Sequence, residues 1–189
     1  MSYDPPRPAG RLLLTPQDQE APARAARLRR LGLGARPEPA LDAFADRVAE
    51  LTGAPYAMVN FIGEQGQFFA GLHVGPYAAA RGGKPELGRH LPRDYGYCPH
   101  VVVRRRALVL DDVADFPRFA GNPIVDEYGV RSYLGAPLAD STGMVLGTVG
   151  AADLAPRTWG RPGLETIKAA AADLVARIEA GARDGQPSS

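Results

Sequence analysis

Cys98 is followed by Pro99 and His100, and this run holds the chain's single thiol. Proline disfavours helical geometry in the residue before it and fits the first helical position itself, so the pattern predicts Cys98 as the N-cap of a helix. A thiol there feels the positive end of the helix dipole, which suits a redox-sensitive or ligand-contacting group. The competing role is a small buried hydrophobe. One cysteine builds no intramolecular disulfide, and no CxxC zinc pattern is present.

His73, His90 and His100 are the other candidates for metal or haem ligation, which would need imidazole or thiolate groups converging on one pocket. No ligand-spaced motif links them, so the expectation is structural histidines and no metal. Asp111, Asp112 and Asp115 stand close to Arg118 and Arg131 in the sequence. They could hydrogen-bond a polar ligand; alternatively Asp112 or Asp115 caps the following turn while the arginines pair with acids. The second reading is preferred, because an Asp before a Pro-containing turn satisfies backbone donors by itself. With no Gly-rich phosphate loop, Ser-His-Asp arrangement or HExxH pattern, the expectation is a protein without catalytic residues.

The elements that would carry these residues follow from periodicity. Leu41, Phe44, Val48 and Leu51 recur at helical spacing and predict a helix over 37–51, ended by Gly53. Residues 56–62 and 67–73 alternate as a hairpin around Gly63-Glu64-Gln65-Gly66, with Ala57, Val59 and Phe61 facing one layer and Tyr56, Met58 and Asn60 the other. Residues 75–93 have closely spaced glycines and prolines, and they read as a long loop with one helical turn near Tyr77, a candidate lid. Asn122 is a favourable N-cap, Pro123 suits the first helical position and Gly129 suits a left-handed C-cap, which sets a short helix between them. Apolar runs at 107–112 (ending in two acids), 132–139 and 144–152 read as strands, and Leu164, Ile167, Ala171, Leu174 and Ile178 form the seam of a last helix over 162–180.

The succession Cys98-Pro99-His100, the run from Asp112 to Val125, Arg131 to Leu138 and Met144 to Thr148 resembles the GAF domain, a small-molecule sensing module of signalling proteins. Phe116 stands where the family's usual motif has Asp. The resemblance implies an α+β fold: a central antiparallel sheet of five or six strands, N- and C-terminal helices on one face, and short helices plus the long loop on the other. It also implies a ligand pocket between the sheet and the helix near Cys98, with Tyr97, Cys98, Val101, Phe119, Ile124, Tyr128 and Tyr133 as ligand-binding residues. Free methionine sulfoxide reductases of the family need several cysteines, and Val149-Gly150-Ala151 occupies the strand where many relatives carry one, so that activity is not expected. The Cys-His pair of bilin-attaching members lies elsewhere in the domain, and the longer signature of cyclic-nucleotide binders is absent.

Composition agrees with a globular domain: 189 residues, 45% hydrophobic, 22 basic against 21 acidic side chains. No overall charge argues for nucleic acid, and no apolar run reaches membrane-spanning length. Seven arginines against three acids make residues 1–36 basic. The predicted organisation is a disordered Pro-rich basic arm over 1–26, a GAF-like domain over 27–181 and a disordered tail over 182–189. The predicted function is a cytoplasmic, non-catalytic sensor without a resident cofactor. It would bind an unknown small molecule, form a homodimer through its terminal helices and signal through a separate protein, since no output domain follows. Two alternatives stand beside it: a scaffold or interaction dimer with a collapsed pocket, and a haem- or redox-based sensor using Cys98 or His100.

Overall fold

The computed structural model describes residues 15–79 and 86–185. The predicted arm before residue 15, the middle of the predicted lid and residues 186–189 of the tail lie outside the described residues.

Alternating apolar residues build the centre. β1 (Tyr56–Ile62) and β2 (Gly66–Val74) form the expected hairpin, closed by a 3.0 Å bond from Gly63 N–H to the Gly66 carbonyl. A bulge breaks the register: Val59 lies opposite Gly71, but Asn60 lies opposite Phe69, leaving Ala70 as the extra residue. Phe68 and Ala70 thereby share one layer, while Gln67 and Phe69 share the other. With β3 (His90–Pro92), β4 (Leu108–Leu110), β5 (Ser132–Ala139) and β6 (Val145–Asp153), the sheet has six antiparallel strands in the order β3-β2-β1-β6-β5-β4. The sixth strand, β3, comes from the segment expected as loop, where Leu91 pairs with Gln67 at the sheet edge.

One face is covered by α1 (Ala21–Leu31), α2 (Pro39–Thr52) and α7 (Gly160–Asp184). α2 approaches so closely that a Cβ on Gly71 would overlap the Leu41 carbonyl, so the packing requires glycine there. Leu41, Phe44 and Val48 are buried as expected, but Leu51 is 59% exposed. In its place Ala45 and Ala49 complete the buried seam. Ile167, Ala171 and Leu174 of α7 are buried, with Leu164 and Ile178 half-buried at the ends of the seam. Trp159 anchors the start of α7: its backbone N–H donates to Asp111 Oδ1 at 3.1 Å, its ring is buried, and the Arg157 guanidinium lies 4.8 Å from the ring.

The opposite face carries α3 (Pro76–Ala79), α4 (Cys98–Arg104), α5 (Pro117–Ala120) and α6 (Pro123–Tyr128). A 3-10 turn (Val113–Asp115) precedes α5.

The expected domain boundary at residue 26/27 needs correction, because it cuts through α1. That helix is fixed by Arg24, whose side chain is fully buried. Its guanidinium pairs with Asp18 at 2.6 and 3.0 Å and its Nε donates to the Val145 carbonyl at 2.6 Å. A charge so placed is tolerable only because carboxylate and carbonyl oxygens meet it. The basic residue that looked like part of a solvated arm thus ties α1 to the sheet. At the other end α7 continues to Asp184, past the expected boundary at 181.

Candidate functional site

α4 begins with a tight turn. Gly96 has φ +73°, the left-handed region that favours glycine, and its N–H donates to Asn122 Oδ1 at 2.8 Å. Asn122 also caps α6 by accepting from Ile124 N–H at 3.0 Å, and its Nδ2 returns a bond to the Gly96 carbonyl at 2.9 Å. One side chain therefore holds two helix starts together. The turn begins α4 one residue earlier than expected: Tyr97 is the N-cap, Cys98 is the first helical residue and Pro99 the second. The Cys98 thiol, expected at the cap, is buried and lies 3.2 Å from Tyr133 Oη.

Between this helix pair and the sheet lies a small cavity of about 40 Å³. Tyr97, Cys98, Ile124, Tyr128 and Tyr133 line it, as the sequence predicts. Val101 and Phe119 do not. Val101 is one turn farther along α4, and Phe119 packs behind Tyr97, its ring edge-on at 5.5 Å and its carbonyl accepting from Tyr97 Oη at 3.1 Å. The sheet supplies lining residues the sequence reading left unassigned: Tyr56, Met58, Gln67, Phe69 and Ala152, with Val130, Leu87, Leu91 and Gly96 closing the sides. The alternation of β1 places Tyr56 and Met58 on one face, but periodicity does not say which face holds a cavity.

The Tyr133 ring lies flat over the sheet. A Cβ on Gly135 would collide with it, and one on Gly150 would sit 3.5 Å from its edge, so two glycines make the trough that seats the ring. Tyr97 and Tyr133 rings are 5.5 Å apart. Burial raises both phenol pKa values, and the neighbouring Cys98 thiol adds to the effect at Tyr133, so both groups are neutral hydrogen-bonding hydroxyls at physiological pH. Beside them runs a buried amide relay. Asn60 Nδ2 donates to Gln67 Oε1 at 2.8 Å, and Gln67 Nε2 donates to the Pro92 and Tyr95 carbonyls at 2.9 and 2.6 Å. At its inner end Asn60 Oδ1 has no donor among the described residues, and Thr148, the cross-strand partner of Asn60, buries a hydroxyl that acts on Tyr133.

The histidines do not converge. His73 Nδ1 lies 2.7 Å from Asp46 Oδ1, the His90 ring packs against Phe68 at 4.9 Å, and the buried His100 meets Phe119 edge-on at 5.0 Å. Among the described residues no three His, Cys, Asp or Glu side chains cluster as metal ligands do. Of the acids, Asp112 caps the 3-10 turn through Ala114 N–H at 3.0 Å and receives Arg131 at 2.8 and 3.2 Å, which holds its carboxyl below the usual range. Asp111 braces Trp159, and Asp115 lies in the turn itself. Arg118 has no carboxylate partner among the described residues, its guanidinium instead lying 5.8 Å from the Phe119 ring centre.

With six antiparallel strands, terminal helices on one face and a cavity under short helices on the other, the chain is comparable with known proteins. Over 132 residues it is 30% identical to the cyclic di-GMP phosphodiesterase PA2567 of Pseudomonas aeruginosa. The match covers 66% of this chain but only 20% of that protein, so the chain spans about a fifth of its relative. Among solved structures, the GAF domain of a phosphoenolpyruvate-protein phosphotransferase from Acinetobacter superposes with a TM-score of 0.57 at 16% identity, over 90% of this chain and 99% of that one. Free methionine-R-sulfoxide reductase from Neisseria meningitidis, in complex with its substrate, gives 0.60 at 16% identity over 89% and 88%. At such identity these structures speak for the fold alone. Residues 36–178 match the GAF domain as a family, and the chain belongs to it.

Proposed function

We propose that this chain is a non-catalytic sensing module that binds a small, uncharged, largely apolar or aromatic molecule and signals through a separate protein. One observation carries the reading: among the described residues no side chain lining the cavity is charged, and Tyr97, Tyr133, Cys98 and Gln67 engage their polar atoms with protein partners, which leaves an apolar wall. A ligand with a phosphate or carboxylate would leave that charge buried without a partner, at high cost. The phosphates of a molecule such as cyclic di-GMP, named in the activity of the Pseudomonas relative, find no cation among the described residues there. Nor is reductase chemistry assigned to Cys98, because one thiol cannot run an intramolecular disulfide cycle.

A cavity of about 40 Å³ holds two or three waters. A ligand therefore enters only if a wall moves, and Leu87, in the segment leading into β3, with Leu91, in that edge strand, forms the wall farthest from the sheet interior. Binding shifts a signalling equilibrium only through different affinity for the two arrangements. The exposed sides of α2 and α7, including Leu51, supply the surface for a homodimer that would carry the change outward. The proposal places the protein in the cytoplasm, and no described helix is long and apolar enough to cross a membrane.

The test is native mass spectrometry of freshly purified protein, with an absorbance spectrum of the same sample. The expected result is a dimer carrying a neutral adduct that disappears on denaturation. The small cavity favours a second reading, an interaction dimer whose pocket stays filled by its own side chains. A clean apo dimer that also fails to take up neutral aromatic compounds supports that reading. A Soret band would overturn both in favour of haem.

A further inference from the structure

We propose that His100, Arg104 and Arg118 form a second binding site, for a small phosphate monoester, on the outer side of α4 and α5. His100 and Arg104 are one helical turn apart on α4 and so share a face of it. Arg118 comes from α5, and the Phe119 ring beside it spaces the group, edge-on to His100 at 5.0 Å and 5.8 Å from the Arg118 guanidinium.

The neighbourhood sets these residues apart: two guanidiniums act on a buried imidazole. Arg24, Arg89 and Arg131 each meet a carboxylate at 3.0 Å or less. Arg104 and Arg118 have none among the described residues, although each guanidinium lies within the field of the other. The His100 imidazole is buried, and its Nδ1 has no hydrogen-bond partner among the described residues. Native proteins rarely leave such an atom unmatched, and an unpartnered one asks for a water or an ion. Burial first, then the charges of Arg104 and Arg118, lower the His100 pKa to about 4, with no carboxylate among the described residues opposing them.

Two uncompensated guanidiniums and an imidazole are all relieved by one species, a multivalent oxyanion. Guanidinium forks match the oxygens of a phosphate group, directly or through one water. Phe116, 40% exposed and 6.4 Å from the Phe119 ring, offers the ester's organic part an apolar rim. This site is independent of the proposed cavity ligand, which must be uncharged.

The experiment is an NMR titration of the His100 ring at fixed ionic strength, using inorganic phosphate, phenyl phosphate and a phosphoserine peptide as separate probes. Saturable shifts are expected, with the His100 pKa moving up from about 4 when the site is filled, since an anion stabilises the imidazolium. Tighter binding of phenyl phosphate identifies a small ester, and tighter binding of the peptide identifies a phosphorylated protein as the source. Arg104→Gln and Arg118→Gln, both surface substitutions, should each weaken binding by about tenfold. Shifts that merely track ionic strength, or that persist unchanged in the double variant, overturn the proposal.

Discussion

The two faces of the sheet are built by different rules. Under α1, α2 and α7 the core is Leu, Ile, Val, Ala and Phe, closed by Trp159, and a helix sits so near β2 that only glycine fits between them. Under α4 and α6 the same strands present two tyrosines and a methionine to a cavity, the helices add two more tyrosines and a thiol, and behind it an asparagine and a threonine are buried as well. Among the described residues, the buried side-chain atoms without a close hydrogen-bond partner include Asn60 Oδ1, Thr148 Oγ1 and His100 Nδ1 on the second face and Trp159 Nε1 on the first. The difference teaches which face was free to serve something other than stability. Close-packed apolar layers lose free energy with every methylene removed, whereas buried hydroxyls and amides add little and restrict what can replace them.

Substitutions on opposite faces put this contrast at risk. Gly71→Val should do the greatest damage, about 4 kcal/mol or more, because the new Cβ strikes the Leu41 backbone and not a yielding side chain; urea denaturation should find little folded protein. Next come neighbours on β5 that point opposite ways. Leu134→Ala removes a fully buried side chain from the first face and should cost about 3 kcal/mol by the same assay. Third is His100→Gln, read as pH dependence. The unfolded histidine takes up a proton near its ordinary pKa of 6.5, which the folded one refuses until about 4, so native stability falls as pH drops through that interval. The variant should lose about 1 kcal/mol less than the parent between pH 7 and 5, allowing for solvent screening. Asp42 and Asp140 do not blur the measurement. Burial raises their pKa values, but their hydrogen bonds to Arg89 and to Thr142 and Arg27 outweigh it, so both stay below 3.8 and their stabilisation is lost only below that window. Smallest is Tyr133→Phe, which deletes a hydroxyl facing Cys98 and Thr148 and should stay within about 1 kcal/mol while abolishing any adduct oriented by that hydroxyl. If Tyr133→Phe proved as costly as Leu134→Ala, the two faces would not be differently built.

The parts readable from sequence are those fixed by local rules. The hairpin of β1 and β2, the Asn122 cap with Gly129 at φ +73° and the seams of α2 and α7 follow from alternation, capping chemistry and helical spacing. Five of the seven expected pocket residues line the cavity, because α4, α6 and β5 carry the motifs that mark them. Contacts between distant segments stayed hidden. Arg24 sits in a run of arginines and alanines that reads as solvated, and nothing local announces that Val145 and Asp18 will surround it. The role of Asn122 in holding Gly96 across 26 residues is equally invisible, as is the contribution of β2 through Gln67 and Phe69, whose facing depends on the bulge at Ala70. Leu51 failed for the opposite reason: its spacing is right, but it lies at the end of α2, where it is left exposed.

Trp159 is the chain's single tryptophan, and it stands on the face away from the cavity, under the Arg157 guanidinium and at the root of α7. The molecule therefore carries its own fluorophore at the foot of the helix from which a signal would leave, and its tyrosines where a ligand would arrive. Excited at 295 nm, the emission maximum reports the polarity around α7 alone. A compound that alters tyrosine absorbance without moving that maximum stops at the cavity; one that moves both has been transmitted through the sheet.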